Sequence, residues 1–139
     1  MRLVTPKWNE TPVWWPRIEG WIEKAIMYGG GVTLYPRDVY DGLMSRNMKL
    51  WLAMDEGALL ACCVTQFANY QRMRLLHVLV VGGKEHGMEN WLHFANEVEQ
   101  YARTTDCDGW EFGGRGGWSR VMAEYGFEPV YTLHRRMFV

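Results

Sequence analysis

Leu75-Leu76-His77-Val78-Leu79-Val80-Val81 runs into Gly82-Gly83-Lys84-Glu85-His86-Gly87, and the stretch from Glu89 to Arg103 follows. The first seven residues are a near-continuous apolar run, the pattern of a central strand covered on both faces. Glycines then interrupt it. Beyond them Trp91, Leu92, Ala95, Val98 and Ala102 recur at helical spacing and predict the buried stripe of a helix over 89–103. After that helix Asp106-Cys107-Asp108-Gly109 reads as a turn and Trp110-Glu111-Phe112 as a short strand. Strand, helix and strand in this order predict two parallel strands with a crevice between them, the natural place for a ligand in such a sheet.

Upstream the period changes twice. From Pro16, the apolar positions Ile18, Trp21, Ile22, Ala25 and Ile26 fall on one face of an amphipathic helix, with Pro16 suited to its first turn. Gly29-Gly30-Gly31 ends it, and a second short helix follows Pro36. Lys49 to Asp55 and Ala58 to Phe67 read as two strands joined at Asp55-Glu56-Gly57, a hairpin. Arg2 to Thr5 is a candidate first strand. At the other end, Trp118 to Tyr125 predicts a short helix closed by Gly126, and Pro129 to Val139 a terminal strand. The expected architecture is α/β: a single domain over 1–139, order (β)ααβββαβαβ, with a mixed sheet between helices.

Composition narrows the function classes. The 139 residues are 48% hydrophobic and 22% charged, ordinary values for a globular chain. Fifteen Lys and Arg stand against 16 Asp and Glu, so there is no basic field to hold nucleic acid by counterion release. No apolar run is long enough to span a membrane and no signal-peptide core is present, which predicts a cytoplasmic protein. Cys62, Cys63 and Cys107 form neither a disulfide framework nor a zinc spacing. The unusual feature is 8 Trp, 7 Tyr and 5 Phe, more than a small core holds comfortably, which predicts a Trp-rich partner surface or a ligand cleft.

Three groupings bear on chemistry. The glycines from Gly82 to Gly87 lie between a buried strand and a helix, where backbone N–H groups can converge on an anion; the plainer reading is a flexible connector. Gly113-Gly114-Arg115-Gly116-Gly117 offers a guanidinium on a closely approachable backbone, suited to phosphate; equally, Arg115 is solvated or pairs with Glu111. Glu111 itself, at a strand end, is a candidate general base. His86, Glu89 and His93 share a helical spacing but meet no metal-ligand pattern, so no metal is expected, and His77 reads as a satisfied core histidine. With Ser45 and Ser119 as the only serines, and no nucleophile elbow, serine-hydrolase chemistry falls away.

The element order, the loop Gly82 to Gly87, and the helix Trp118 to Tyr125 followed by Gly126-Phe127 resemble the GNAT superfamily of acyl-CoA-dependent N-acetyltransferases. The resemblance implies that Val81, Gly82, Gly83 and Gly87 hold the pantetheine and pyrophosphate of acetyl-CoA, with Arg115 assisting a phosphate. The family's pyrophosphate pattern is degraded here, with Glu85 where Gly belongs and Gly82 where Gln or Arg belongs. In frame on Gly126-Phe127, the family's proton-donating Tyr falls on Met122, whose thioether cannot donate; Tyr125, one turn later, is the substitute acid.

Val64-Thr65-Gln66 to Gly82-Gly83, Trp91-Leu92, Gly114-Arg115-Gly116-Gly117-Trp118 and Tyr125-Gly126-Phe127 are similar to small GNAT-like proteins of tailed phages and prophages. Two functions therefore remain open: an acetyl-CoA-dependent transfer to an amine, or a non-catalytic GNAT-fold interaction or virion-associated protein meeting phage head proteins through exposed tryptophans. The second predicts a closed crevice and the first an open one.

Overall fold

The computed structural model describes residues 1–28, 33–85, 88–113 and 118–138. The elements are β1 (Arg2–Val4), a single 3-10 turn (Trp8–Glu10), α1 (Thr11–Tyr28), α2 (Pro36–Met44), β2 (Lys49–Asp55), β3 (Ala58–Asn69), β4 (Arg74–Gly83), α3 (Met88–Leu92), α4 (Ala95–Thr104), β5 (Gly109–Phe112) and α5 (Trp118–Ala123). Among the described residues they form one five-stranded sheet in sequence order, β1 to β5. The first three pairings are antiparallel. β4 and β5 are parallel, as the strand–helix–strand reading requires. The expected α/β fold with a mixed sheet between helices is the observed one.

Two apolar clusters cover the two faces of the sheet. Trp91, Phe94, Val98, Ala102 and Met122 lie on one face with Cys63, Leu76 and Val78. Ile18, Ile22, Val39 and Leu43, from α1 and α2, lie on the other with Cys62, Val64 and Val80. The adjacent cysteines thus face opposite ways, as strand alternation demands. The β2–β3 hairpin closes through Glu56 (φ 48°) and Gly57 (φ 82°), the doubly left-handed pair of a tight hairpin turn.

One irregularity positions the rest. Val64 pairs with Val80 but Thr65 with Val78, so Leu79 is an extra residue on β4. A bulge of this kind inverts the inside–outside alternation of the residues beyond it. Leu76 and Val78 consequently join the cluster with α4, while Val80 joins the one with α1.

Four expectations are corrected. α1 begins at Thr11, five residues before Pro16, which sits inside the helix. The 3-10 turn launches it, with the Thr11 hydroxyl donating to Trp8 O at 2.7 Å. The single helix over 89–103 is two. Phe94 N–H bonds Trp91 O at 2.9 Å, a tight turn that breaks the α-helical ladder. It buries Phe94 fully and leaves Leu92, expected in the stripe, 51% exposed. Gly82 and Gly83 belong to β4 rather than to the loop. The terminal strand over 129–139 does not form: residues 129–138 carry no regular element, and Val130, Tyr131, Leu133 and Phe138 are exposed; Val139 lies outside the described residues. A strand exists only when an edge pairs with it, and its own alternation does not supply one. Among the described residues no helix is long and apolar enough to cross a membrane.

Candidate functional site

The parallel register sets Leu75 against Gly109, Leu76 against Trp110, His77 against Glu111 and Val78 against Phe112. There the described pairing stops, while β4 continues to Gly83 with its other edge still bonded to β3 as far as Ala61. Leu79 to Gly83 therefore present an edge without a β5 partner among the described residues. Gly113, just past β5, has nothing within 4 Å of the position a side chain would take.

At the last paired positions three polar side chains meet. His77 Nδ1 lies 2.7 Å from Glu111 Oε2, and the Tyr70 hydroxyl donates to the same oxygen at 2.8 Å. Tyr70 arrives from the β3–β4 turn, held by its N–H to Met73 O at 2.9 Å. The His77 and Glu111 side chains are each 29% exposed, half-buried and reachable. The hydrogen bond to Glu111 raises the Tyr70 phenol above its ordinary value, with smaller upward pushes from desolvation, the Glu111 charge and Tyr131. Glu111 was expected as a base; the structure adds His77 and Tyr70 to it. His77 reads in sequence as a core histidine because its partner is 34 residues away, across a register that no local pattern specifies.

On the other face aromatic rings line β5. Trp91 stacks on Trp110 with centroids 5.0 Å apart, and Phe127 meets Trp110 edge-on at 4.8 Å and Phe112 at 5.2 Å. The Trp91 indole N–H is buried and has no acceptor among the described residues. Most of the aromatic load is thus absorbed by packing, and among the described tryptophan side chains Trp8 is the exposed one, at 41%.

The loop after Val81 is more committed to the protein than its glycines suggest. Lys84 N–H bonds Leu60 O at 2.9 Å. Glu85 N–H bonds Asn90 Oδ1 at 3.2 Å, and Asn90 Nδ2 returns a bond to Glu85 O at 2.7 Å. Two amides of the expected anion seat are therefore already engaged. Gly82 and Gly83 serve close packing, one against Trp21 and the other against Asn90, Leu60 and Ala61. Gly87 and Arg115 lie outside the described residues, as does His86 of the spacing with Glu89 and His93. Among the described residues no cluster of His, Cys, Asp or Glu is placed to hold a metal. Met122, at the position of the family's Tyr, is 1% exposed in the core, and Tyr125 is 43% exposed. Tyr125 makes no hydrogen bond with Glu111.

Solved structures share this architecture along the whole chain. A probable acetyltransferase superposes with a TM-score of 0.70 at 16% identity, covering 100% of this chain and 97% of that one. A GCN5-related N-acetyltransferase from Ralstonia eutropha JMP134 gives 0.71 at 9% identity, over 98% and 97%. This is the GNAT fold. A predicted acetyltransferase with acetyl-CoA, from Clostridium acetobutylicum, gives 0.69 at 10% identity, over 98% and 95%. No family model and no curated protein matches the sequence. The hairpin, the central strand carrying His77, the helical segment after it and the later helix before Gly126-Phe127 stand in the order that the resemblance in sequence implied.

Proposed function

We propose that the chain is an acyl-CoA-dependent N-acetyltransferase acting on an amine. The observation that carries this reading is the end of the β4–β5 ladder at Val78 and Phe112, with β4 running on to Gly83. An extended arm carrying amides can lie along that edge, with Val81 and Gly83 as its backbone partners, since Gly82 and Lys84 turn their N–H groups to β3. The buried, unpartnered indole N–H of Trp91 is a donor that a carbonyl on such an arm can satisfy. Groups along this edge therefore fit the pantetheine part of acetyl-CoA. With Lys84 and Glu85 amides engaged, the phosphates would rely on Gly87 and Arg115. Acetyl-CoA supplies an activated acyl thioester, and the His77–Glu111–Tyr70 cluster near the end of the described β4–β5 pairing supplies the proton-accepting group.

Ligand binding to the folded state raises stability by about 2.7 kcal/mol at a hundredfold excess over Kd. Acetyl-CoA at millimolar concentration is expected to raise the melting temperature and to give a calorimetric isotherm. If neither responds, the reading fails. The non-catalytic interaction or virion-associated role then stands, favoured by Met122 in the core where the family places its proton-donating Tyr.

A further inference from the structure

We infer, resting on the acetyltransferase reading, that His77 is the group that takes the acceptor's proton, and that Glu111 and Tyr70 hold its imidazole for the task. Glu111 Oε2 is the meeting point of two bonds, 2.8 Å from the Tyr70 hydroxyl and 2.7 Å from His77 Nδ1. A phenol and an imidazole N–H can both donate to one carboxylate oxygen only if that oxygen carries no proton of its own. The neutral imidazole must then keep its hydrogen on Nδ1, which leaves the lone pair on Nε2, away from Glu111. Glu111 Oε2 is thus engaged by two donors, whereas Nε2 keeps an unshared pair that can accept a proton. That is the division of labour between an orienting acid and a working base.

Placement supports the same roles. His77 is one residue before the last paired position of the described ladder, beside the stretch of β4 that runs on without a β5 partner among the described residues. Leu76 and Val78 point to the α4 side, and alternation puts His77 on the α1 side. The base and the aromatic packing around Trp91 therefore occupy opposite faces of the sheet.

The proton balance is simple. Nε2 takes one proton from the acceptor ammonium, and the freed amine nitrogen forms a bond to the acetyl carbonyl carbon as the carbon–sulfur bond breaks. The departing thiolate takes up the proton that the new amide nitrogen sheds, and the imidazolium returns its own to solvent.

The test compares the native chain with His77→Gln, Glu111→Ala and Tyr70→Phe, using acetyl-CoA as donor, benzylamine as probe acceptor, and free thiol as readout. Calorimetry with acetyl-CoA first establishes equal binding in all four, so that loss of binding by the native chain condemns the acetyltransferase reading separately. With binding intact, His77→Gln should lose about a hundredfold in thiol release, as removal of a positioned general base does. Glu111→Ala should lose less, and Tyr70→Phe under threefold. Nitrogen NMR of the native protein provides a reading independent of any variant's folding: His77 should carry its hydrogen on Nδ1, and Glu111→Ala should move it to Nε2. A native rate no higher than that of His77→Gln, or a native imidazole protonated on Nε2 alone, overturns the inference.

Discussion

The backbone carbonyl and Cβ of Trp21 each lie 3.0 Å from the point where a side chain on Gly82 would begin. That contact docks α1 on β4 just beyond the bulge, so the glycine is a packing requirement before it is a ligand contact. Gly82→Ala is expected to destabilise by about 1–3 kcal/mol, the usual cost of overpacking. Gly83→Ala, whose new carbon would meet Asn90 Oδ1 and Leu60 O at 2.6 Å, should cost more. Gly20 offers the control: nothing lies within 4 Å of its missing Cβ, and Gly20→Ala in a helix interior should stabilise by about 0.5–1 kcal/mol. Urea unfolding of the three variants separates these outcomes by sign.

The thiols are graded by burial. Burial pushes the Cys62 thiol up to about 12, partly relieved by the Gly82 backbone N–H. Burial, and secondarily Cys62, raises Cys63 well above the ordinary 9.0. Cys107, half-buried, should react first with a thiol reagent at pH 8, and the other two only on unfolding. Both buried thiols stay protonated in the fold, while the unfolded chain ionises them above 9.0. Their contribution to stability is therefore intact below that value and is lost progressively as pH rises toward 12, which thermal melts at stepped pH would record.

Trp51 donates from its indole nitrogen to Thr65 Oγ1 at 3.0 Å, with both residues buried. Thr65→Val keeps the shape and strands the N–H. The expected loss is about 1–3 kcal/mol, the cost of an unsatisfied buried donor. Trp51→Phe combined with Thr65→Val should recover part of it in a double-mutant cycle.

Phe127 touches three other rings, Trp91, Trp110 and Phe112. Phe127→Ala should cost about 2–4 kcal/mol, below the full core value because the residue is only partly buried. It should also shift tryptophan fluorescence to longer wavelength as water reaches the stacked Trp91–Trp110 pair. An unchanged spectrum would mean that the ring does not shield them.

Much of the sheet was legible along the chain. β2 occupies Lys49–Asp55 as read from the sequence, because Glu56-Gly57 supplies a turn whose backbone demand is met locally. Gly126, at φ 86°, closes the turn after α5 for the same reason. The helix break at Phe94 was not legible: Trp91 and Phe94, three residues apart, share a face in a continuous helix too, so the apolar period carries no signal of the break. The cluster at Glu111 was half legible. A carboxylate at a strand end can be found by reading, but His77 and Tyr70 reach it through register and a turn.

What the sequence by itself determined was each element whose cause is local: apolar period, turn glycines, and the parallel relation that a strand–helix–strand order imposes. The tertiary structure alone decided the bulge at Leu79, the register of β4 against β5 and the meeting of His77 with Glu111. Each of these depends on which residue of one strand lies against which residue of another. That offset minimises the packing free energy of two whole faces at once, so no short stretch of chain contains it.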